Sequence, residues 1–314
     1  MDALVATHDL TKQFRALTAV EGVNLAVQAG EVLALLGPNG AGKTTTIRML
    51  SSILAPTRGS ATVAGYDVVR HAEGVRARIG LLTEHHGLYT RMRAEDYLLF
   101  FGRIYNVSDA ELRERIGTLL ERYDLQDAAA LRLGHYSKGM RQKLALVRAL
   151  LHDPQVLLLD EPTSAMDPSS AHMVRESIAG LRRGNRAIIV CTHNLHEAEL
   201  LADKIAIIRK GRIIARGSPQ ALKRRLLGDP IMEVHLAQQL NGLHENLPDD
   251  VVIMARGENW LRYQTADPDA VNPRIIRSLQ DNGFDVITLA EVERSLEDVY
   301  LQVVAAESPL EGAS

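Results

Sequence analysis

The chain has 314 residues, which suggests about two domains. With 46% hydrophobic and 24% charged residues it can bury a core, so a disordered chain is disfavoured. Aromatic residues make up only 4%, which disfavours a surface that binds single-stranded nucleic acid by stacking on its bases. Its formal net charge of −3 is uneven, since residues 230–314 carry −10 and the remainder carries +7. A basic first part suits a polyphosphate ligand, whereas the acidic end either repels nucleic acid or is a solvated acidic surface.

The sequence gives no sign of secretion or of a membrane span. The single cysteine, Cys191, cannot form an internal disulfide and follows the apolar run 187–190, which fits a buried thiol in a reducing compartment. Residues 1–4 show neither the basic nor the apolar region of a signal peptide, and no stretch reaches the about 18 apolar residues of a transmembrane helix. We therefore expect that any membrane role comes through a partner.

The first eighty residues are rich in short strands, predicted at Leu4–Ala6, Val23–Val27, Val32–Leu36, Ala61–Ala64 and Ile79–Leu82. The third of them is followed by a complete G-x-x-x-x-G-K-[ST] motif, residues 37–44, and by a helix predicted over Thr45–Ile53. Glycines let the backbone approach a ligand, and N–H groups at a helix N-terminus attract phosphate. Lys43 is expected to reach the β- and γ-phosphates, and Thr44 to ligate Mg²⁺. The sequence therefore predicts a site for a nucleoside triphosphate.

Three helices are predicted next, over Ala94–Tyr105, Ala110–Arg122 and Met140–Leu151, with Ser108 and Ser137 as N-caps of the last two. Strands and helices then alternate through Val156–Leu159, Ser169–Leu181, Ala187–Cys191, Leu195–Ala202 and Ile205–Ile208. Such alternation predicts a parallel sheet flanked by helices. Because the helical segment, about residues 86–152, divides the strands of that sheet, it is predicted to be an inserted subdomain.

The apolar run 156–159 ends in two acids, Asp160 and Glu161. A buried strand with this ending places both carboxylates at the edge of the sheet, beside the phosphate loop. Asp160 is expected to hold Mg²⁺, directly or through water, and Glu161 to polarise the water that attacks the γ-phosphate. The acid pair alone would fit an ordinary strand end; together with the phosphate loop it favours catalysis.

A boundary is predicted at Gly228-Asp229-Pro230, which gives domains of residues 1–228 and 229–314. Beyond it the pattern predicts strand Ile231–Leu236, a short helix, strands Val251–Ala255 and Trp260–Gln264, helix Ala270–Gln280, strand Asp285–Leu289 and helix Leu296–Val304. The order βαββαβ with an added helix is close to the ferredoxin-like pattern. We expect this small α+β domain to be accessory or regulatory, with a passive cap over apolar surface as the alternative.

Further motifs, together with the phosphate loop and the acid pair, resemble the nucleotide-binding subunit of ABC transporters over residues 4 to about 228. Tyr136–Met140 stands where that family has its Leu-Ser-Gly-Gly-Gln signature, Ser164–Asp167 resembles its D-loop, and Thr192-His193 its switch histidine. Phe14 occupies the place of the aromatic residue that stacks on adenine, and Glu84 that of the Q-loop glutamine. The resemblance implies an α/β fold: a RecA-like P-loop NTPase core with an antiparallel β subdomain and an inserted helical subdomain.

The resemblance also implies roles for these residues. ATP would be bound by Phe14, Gly37, Pro38, Asn39, Gly40, Ala41, Gly42, Lys43, Thr44 and Thr45, and from a second subunit by the signature residues Ser137, Lys138, Gly139 and Met140. Glu161, His193 and Lys43 would be catalytic, with Asp167 in the D-loop and Mg²⁺ held by Thr44, Asp160 and Glu84. Taken alone, Ser137 fits a helix cap, His193 a core or surface histidine, and Phe14 a core residue.

Three positions depart from the family pattern. Glu84 replaces glutamine and brings a carboxylate near Mg²⁺, Lys138 replaces the first glycine of the signature, and Met140 replaces its last glutamine. Lys138 either adds positive charge near the phosphate of a second subunit or points to solvent. These departures leave the predicted fold intact and bear on metal coordination and on the contact between subunits.

The resemblance implies an ATPase that powers a membrane transporter. Its partners would be ATP, permease subunits at the cytoplasmic face of the membrane, and a second copy of itself or a homologous ATPase subunit. The segments Gly87–Tyr89, Glu95–Phe100 and Ser295–Leu301 resemble the branch that exports drugs, polysaccharides or lipids, with an importer subunit as the alternative. A soluble ABC ATPase of DNA maintenance or translation is a further alternative, which the single ATPase core, the single cysteine and the acidic end disfavour; no nucleic-acid partner is expected.

Overall fold

The computed structural model describes residues 3–83, 87–164, 166–182, 185–240 and 251–300. They belong to two units, residues 1–219 and 220–314. The division falls after the first residue of a helix over Pro219–Leu227, whereas the predicted boundary follows that helix. The sequence analysis did not identify this helix and took Gly228 as the first break.

The elements of the first unit are, in chain order, β1 (Val5–Phe14), β2 (Leu17–Val23), β3 (Ala26–Val27), β4 (Val32–Leu36), α1 (Lys43–Leu50), β5 (Arg58–Val63), β6 (Tyr66–Asp67), α2 (Ala72–Arg76), β7 (Ile79–Leu82), α3 (Ala94–Ile104), α4 (Asp109–Arg122), α5 (Lys138–Leu150), β8 (Val156–Asp160), α6 (Pro168–Leu181), β9 (Ala187–Thr192), α7 (Leu195–Leu201), β10 (Lys204–Arg209) and β11 (Arg212–Gly217). Helix α8 (Pro219–Leu227) follows. The remaining elements are β12 (Ile231–Leu236), β13 (Val252–Arg256), β14 (Trp260–Gln264), α9 (Pro268–Asp281), β15 (Val286–Glu291) and α10, which begins at Leu296.

The N-terminal strands form an antiparallel sheet in the order β2-β1-β5-β6, with β3 paired to β1. The strand predicted at Leu4–Ala6 is longer in the structure, because β1 continues to Phe14 and forms a hairpin with β2. The pairing of β1 with β2 shifts register on both sides of Lys12. These irregularities interrupt the alternation of apolar and polar residues, so the pattern that predicts a strand is lost there.

The second sheet of this unit has the order β11-β10-β4-β9-β8-β7, and β10, β4, β9, β8 and β7 are parallel. Alternate residues of β8 pack into the two apolar cores on either side, Leu157 and Leu159 into one, Val156 and Leu158 into the other. Parallel strands end at one edge of a sheet, and ligands bind beyond that edge. Here Leu36 pairs with Thr192, and Asp160 pairs with Cys191, so the segments after β4, β8 and β9 all begin at this edge.

Helices α3, α4 and α5 lie in the chain between β7 and β8 and pack together in the core that contains Leu157 and Leu159. Two of them start with the predicted caps. The N–H of Glu111 donates to Ser108 Oγ at the start of α4, and the N–H of Met140 donates to Ser137 Oγ at the start of α5. The helical insertion therefore carries the signature residues on the first turn of α5.

In the second unit, four antiparallel strands have the order β13-β14-β12-β15. Helix α9 contributes Val271, Ile275 and Leu279 to an apolar core with residues of β12 and β14. The short helix that the sequence predicts between β12 and β13, and the last residues of the predicted helix Leu296–Val304, lie outside the described residues. Within the described part of the chain, no helix is long and apolar enough to cross a membrane.

Candidate active site

The phosphate loop connects β4 to α1 and requires glycine at several positions. Gly40 and Gly42 have φ of 79° and 109°, in the region that side chains other than glycine disfavour. A Cβ on Gly42 would lie 2.6 Å from the carbonyl oxygen of Ala19, and one on Gly37 would lie 2.2 Å from that of Ile208. The tight contacts explain why glycines stand at these positions of the motif.

Lys43 is the first residue of α1, and its side chain turns back over the loop. Its Nζ donates to the carbonyl oxygens of Gly37 (2.6 Å) and Pro38 (3.2 Å), although only 6% of the side chain is exposed. Gly42, which precedes the helix, has no side chain to accept from the first N–H groups, and the first turn contains no acid. The N-terminus of α1 thus combines unpaired donors with a cation, which is the arrangement that binds phosphate.

Two hard oxygen ligands lie together at the edge of the sheet. The hydroxyl of Thr44 donates to Asp160 Oδ2 at 2.7 Å, and Asp160, the last residue of β8, is 1% exposed. Mg²⁺ prefers oxygen ligands and often takes only one or two from carboxylates, with water and phosphate completing its shell. Within the described residues, no group of three or more His, Cys, Asp or Glu side chains could hold a metal by itself. The pair Thr44 and Asp160 therefore fits Mg²⁺ that is bound together with a nucleotide.

Glu161 follows Asp160 in an uncommon backbone conformation, with φ of 51°. Its carboxylate Oε1 lies 2.9 Å from His193 Nδ1 and 3.7 Å from Lys43 Nζ. Because a carboxylate only accepts, His193 carries its proton on Nδ1 in this contact. Lys43, Thr44, Asp160, Glu161 and His193 thus form one cluster, as the sequence predicts for residues that follow β4, β8 and β9.

The predicted signature and D-loop residues lie at the starts of helices α5 and α6. Ser137 and Lys138 are exposed on the first turn of α5, where Met140 is partly buried and packs against an apolar core. Asp167 is the exposed N-cap of α6 and accepts the N–H of Ser170, which lowers the pKa of its carboxyl group.

Two further residues were predicted to contact the nucleotide or its metal ion. Phe14 ends β1 and is 44% exposed, with Lys12 Nζ 5.1 Å from the centre of its ring. Glu84, predicted as a metal ligand, lies outside the described residues.

Sequence reasoning missed the side chains that hold the cluster in place. Glu197 on α7 is 2% exposed and accepts the hydroxyls of Thr163 and Thr192, each at 2.6 Å. Gln142 on α5 donates to the carbonyl oxygen of Glu161 at 2.9 Å. Neither residue belongs to a motif used above, and the contacts of Gln142 with Glu161 and of Glu197 with Thr163 span 19 and 34 residues. The only available signal was a polar residue in a largely apolar helix face, which is weak by itself.

Cys191, on the neighbouring strand β9, contacts the backbone of Glu161. It is fully buried in β9, and its carbonyl oxygen accepts the N–H of Glu161 at 2.9 Å. Burial, together with the nearby charges of Asp160 and Glu161, raises the pKa of the Cys191 thiol well above its usual range. The thiol therefore stays neutral, as the predicted buried cysteine requires.

Comparison with known proteins gives consistent results along the chain. A family model described as "ABC transporter" matches residues 20–164, and one described as "ATP-binding protein DrrA1-3-like, C-terminal domain" matches residues 217–304. The chain is 36% identical to the daunorubicin resistance ATP-binding protein DrrA3 of Streptomyces coeruleorubidus over 303 residues, which is 96% of each chain. It is 35% identical to the Nod factor export ATP-binding protein I of Rhizobium sp. (strain N33), covering 94% of this chain and 95% of that protein. A solved structure of an ATP-binding subunit of an ABC transporter superposes with a TM-score of 0.68 at 32% identity, covering 72% of this chain and 94% of that one.

Proposed function

The chain belongs to the ABC transporter family as an ATP-hydrolysing subunit of an exporter, and we propose that the cluster around Glu161 performs the hydrolysis. The observation that carries this proposal is the place of the Glu161 carboxylate, between His193 Nδ1 at 2.9 Å and Lys43 Nζ at 3.7 Å. A carboxylate beside the phosphate loop is positioned to take a proton from the water that attacks the γ-phosphate. His193 orients that carboxylate through Nδ1, and a contact of Nε2 with the γ-phosphate requires a second proton on the ring.

ATP binds, in this proposal, through the backbone of the phosphate loop and through Lys43. The lysine exchanges its bonds to the carbonyl oxygens of Gly37 and Pro38 for bonds to the phosphates. Mg²⁺, held by Thr44 and Asp160, would neutralise part of the phosphate charge. Phe14, half exposed at the end of β1, offers its ring to the adenine.

The exposed signature and D-loop residues serve a second subunit. Ser137 and Lys138 form the outer surface of the first turn of α5, where a helix N-terminus and a cation suit a phosphate. We therefore assign Ser137, Lys138 and Gly139 to the ATP bound by the opposite subunit. Met140, the last residue of the signature, is only partly buried; it packs against an apolar core and remains part of the same proposed contact.

The work of this ATPase is coupled, in our proposal, to permease subunits at the cytoplasmic face of a membrane. Two relatives that match nearly the whole chain are named for daunorubicin resistance and Nod factor export, which supports a role in export. Co-purification from detergent-solubilised membranes tests the coupling. Recovery with DNA or ribosomes instead would contradict it.

The C-terminal unit is proposed to be a regulatory or dimer-supporting domain with a ferredoxin-like arrangement. Its strand order β13-β14-β12-β15 supports that arrangement, and all residues of the Glu161 cluster precede it in the chain. A chain that ends at Pro219 should bind ATP while it dimerises or couples to its membrane partner less well. Aggregation or loss of nucleotide binding would make residues 220–314 part of the core fold.

Replacing Glu161 by glutamine tests the central assignment. Glu161→Gln should retain ATP affinity but lower kcat by about 1,000-fold, because the water loses its proton acceptor while the phosphate loop is unchanged. An ATP-bound dimer should then accumulate and elute early in size-exclusion chromatography with ATP and Mg²⁺. Glu176→Gln, at an exposed carboxylate of α6, is the matched control. A Glu161→Gln protein that hydrolyses ATP freely as a monomer would contradict the assignment.

A further inference from the structure

We propose that Gln142 is a positioning residue for Glu161, through which helix α5 controls the placement of the catalytic carboxylate. The inference rests on the proposed role of Glu161 as the proton acceptor. It adds a specific link between the helix that carries the signature residues and the hydrolytic side of the same subunit.

The amide of Gln142 contacts the backbone of the catalytic segment twice. Its Nε2 donates to the carbonyl oxygens of Glu161 (2.9 Å) and Pro162 (3.1 Å), so both hydrogens of the amide are used. Only a nitrogen can face two carbonyl oxygens, which fixes the orientation of the amide. Gln142 is 5% exposed, and water therefore cannot replace these bonds.

The segment held by Gln142 needs such support. Glu161 has a φ of 51°, a conformation that persists in residues other than glycine only when neighbouring groups enforce it. Three groups do so here: its N–H donates to the carbonyl oxygen of Cys191 (2.9 Å), and its carbonyl oxygen accepts from the N–H of Ser164 (3.2 Å) and from Gln142. Of these three, Gln142 alone belongs to the helical insertion.

Helix α5 connects the signature residues on its first turn with the Gln142 amide that contacts the backbone of Glu161. It begins after its N-cap Ser137, in the turn that we assign to the ATP of the opposite subunit, and Gln142 follows on the second turn. The residues after Gln142, from Lys143 to Val147, are buried, so the helix is fixed along its length. A displacement of its first turn therefore displaces the Gln142 amide, and with it the backbone from which Glu161 reaches His193. In this way, engagement of the opposite ATP sets the position of the carboxylate.

The substitution Gln142→Met keeps the length of the side chain and removes both donors. We expect kcat for ATP hydrolysis to fall about 10- to 100-fold, with the dissociation constant for a non-hydrolysable ATP analogue changed less than about twofold. Gln142→Glu, which turns an acceptor toward two carbonyl oxygens, should lower kcat at least as far. Leu112→Ala is the control, because Leu112 is fully buried in the same apolar core but on a different helix, α4. It should lower the melting temperature while kcat, measured well below that temperature, stays near that of the unmodified chain.

A double-substitution cycle separates positioning from general support. If Gln142 acts through Glu161, then Gln142→Met should change the residual hydrolysis rate of a Glu161→Gln chain by less than about twofold. The same fold-loss in both backgrounds would overturn the inference, as would an unchanged kcat in Gln142→Met alone or an equal loss of ATP affinity. Ordinary hydrolysis by Glu161→Gln would instead overturn the proposed function itself, so the two failures are distinguishable.

Discussion

The two sides of the nucleotide site are held in different ways. On the phosphate side, residues 37–44 are held mainly through backbone groups: Lys43 bonds to carbonyl oxygens of the loop, and Gly42 lies against the backbone of Ala19. On the hydrolytic side, the segment that carries Glu161 is held by distant side chains, directly by Gln142 and through Thr163 by Glu197. We therefore expect the first side to govern ATP binding and the second to respond to the positions of helices α5 and α7.

This difference implies that binding and hydrolysis are separable. Substitutions on the phosphate side should weaken ATP binding and hydrolysis together. Substitutions that loosen the hydrolytic side should lower the turnover rate while the affinity for ATP is kept. The predictions below test each side, beginning with the largest expected effect.

Lys43→Ala should have the largest effect on binding. It removes a charged donor to phosphate, which contributes about 3 kcal/mol, so the affinity for ATP should fall about 100-fold. Isothermal titration calorimetry with a non-hydrolysable analogue measures this change. Lys210→Ala, at an exposed lysine between β10 and β11, should leave the affinity unchanged. Unaltered ATP affinity in Lys43→Ala would contradict the claim that the phosphate side of the site binds ATP through Lys43.

Gly42→Ala and Gly40→Ala form a matched pair in the same loop. Both glycines have positive φ, but a Cβ at position 42 meets the Ala19 carbonyl oxygen at 2.6 Å, and one at position 40 meets nothing within 4 Å. We expect the free energy of unfolding to fall by about 1 kcal/mol for Gly40→Ala and by about 2 kcal/mol or more for Gly42→Ala. Urea denaturation measures both, and equal losses would mean that the clash at position 42 is relieved by loop movement.

Glu197→Ala should destabilise the hydrolytic side. It leaves the hydroxyls of Thr163 and Thr192 without their acceptor in a buried place, which should lower the free energy of unfolding by about 1 to 2 kcal/mol. We also expect a lower kcat at unchanged ATP affinity, because Thr192 precedes His193. The exposed Glu176→Ala serves as the control. If Glu197→Ala lowers ATP affinity and leaves kcat unaltered, the proposed division between the two sides is wrong.

Glu84→Gln should give the smallest effect. Its place in the sequence predicts that this carboxylate lies near Mg²⁺. Its loss should then shift the Mg²⁺ concentration that supports half-maximal hydrolysis by about threefold, while ATP affinity changes little. Hydrolysis rates across a Mg²⁺ titration provide the measurement. An unaltered titration would place Glu84 toward the membrane partner or solvent.

The phosphate side of the site could be predicted from the sequence, whereas the side chains that support the hydrolytic side could not. The phosphate loop, Asp160 and Glu161 are contiguous motifs whose spacing follows from the local chemistry, and strands β4, β8 and β9 are continuous apolar runs. Their meeting at one edge follows from the parallel sheet. Gln142 and Glu197 could not be predicted, because a single polar residue on a helix does not reveal which backbone or hydroxyl group it contacts.

Two structural errors of prediction have similar causes. The β1–β2 hairpin was missed because irregular pairing around Lys12 breaks the period-two pattern. Helix α8 was missed because only Pro219 and Leu222 are buried along it, and several of its other positions are basic or polar. In both places the local pattern of apolar and polar residues is too weak to predict the element.

The most direct test of the account is a crystal structure of the Glu161→Gln chain with ATP and Mg²⁺. We predict that the phosphates lie on the N-terminus of α1 with Lys43 Nζ bonded to them, and that Mg²⁺ lies about 2.1 Å from Thr44 Oγ1. The side chain at position 161 should bind a water in line with the γ-phosphate, with the Gln142 amide still bonded to the backbone below it. A position-161 side chain turned away from the γ-phosphate, with no such water, would contradict the central claim that Glu161 activates the attacking water.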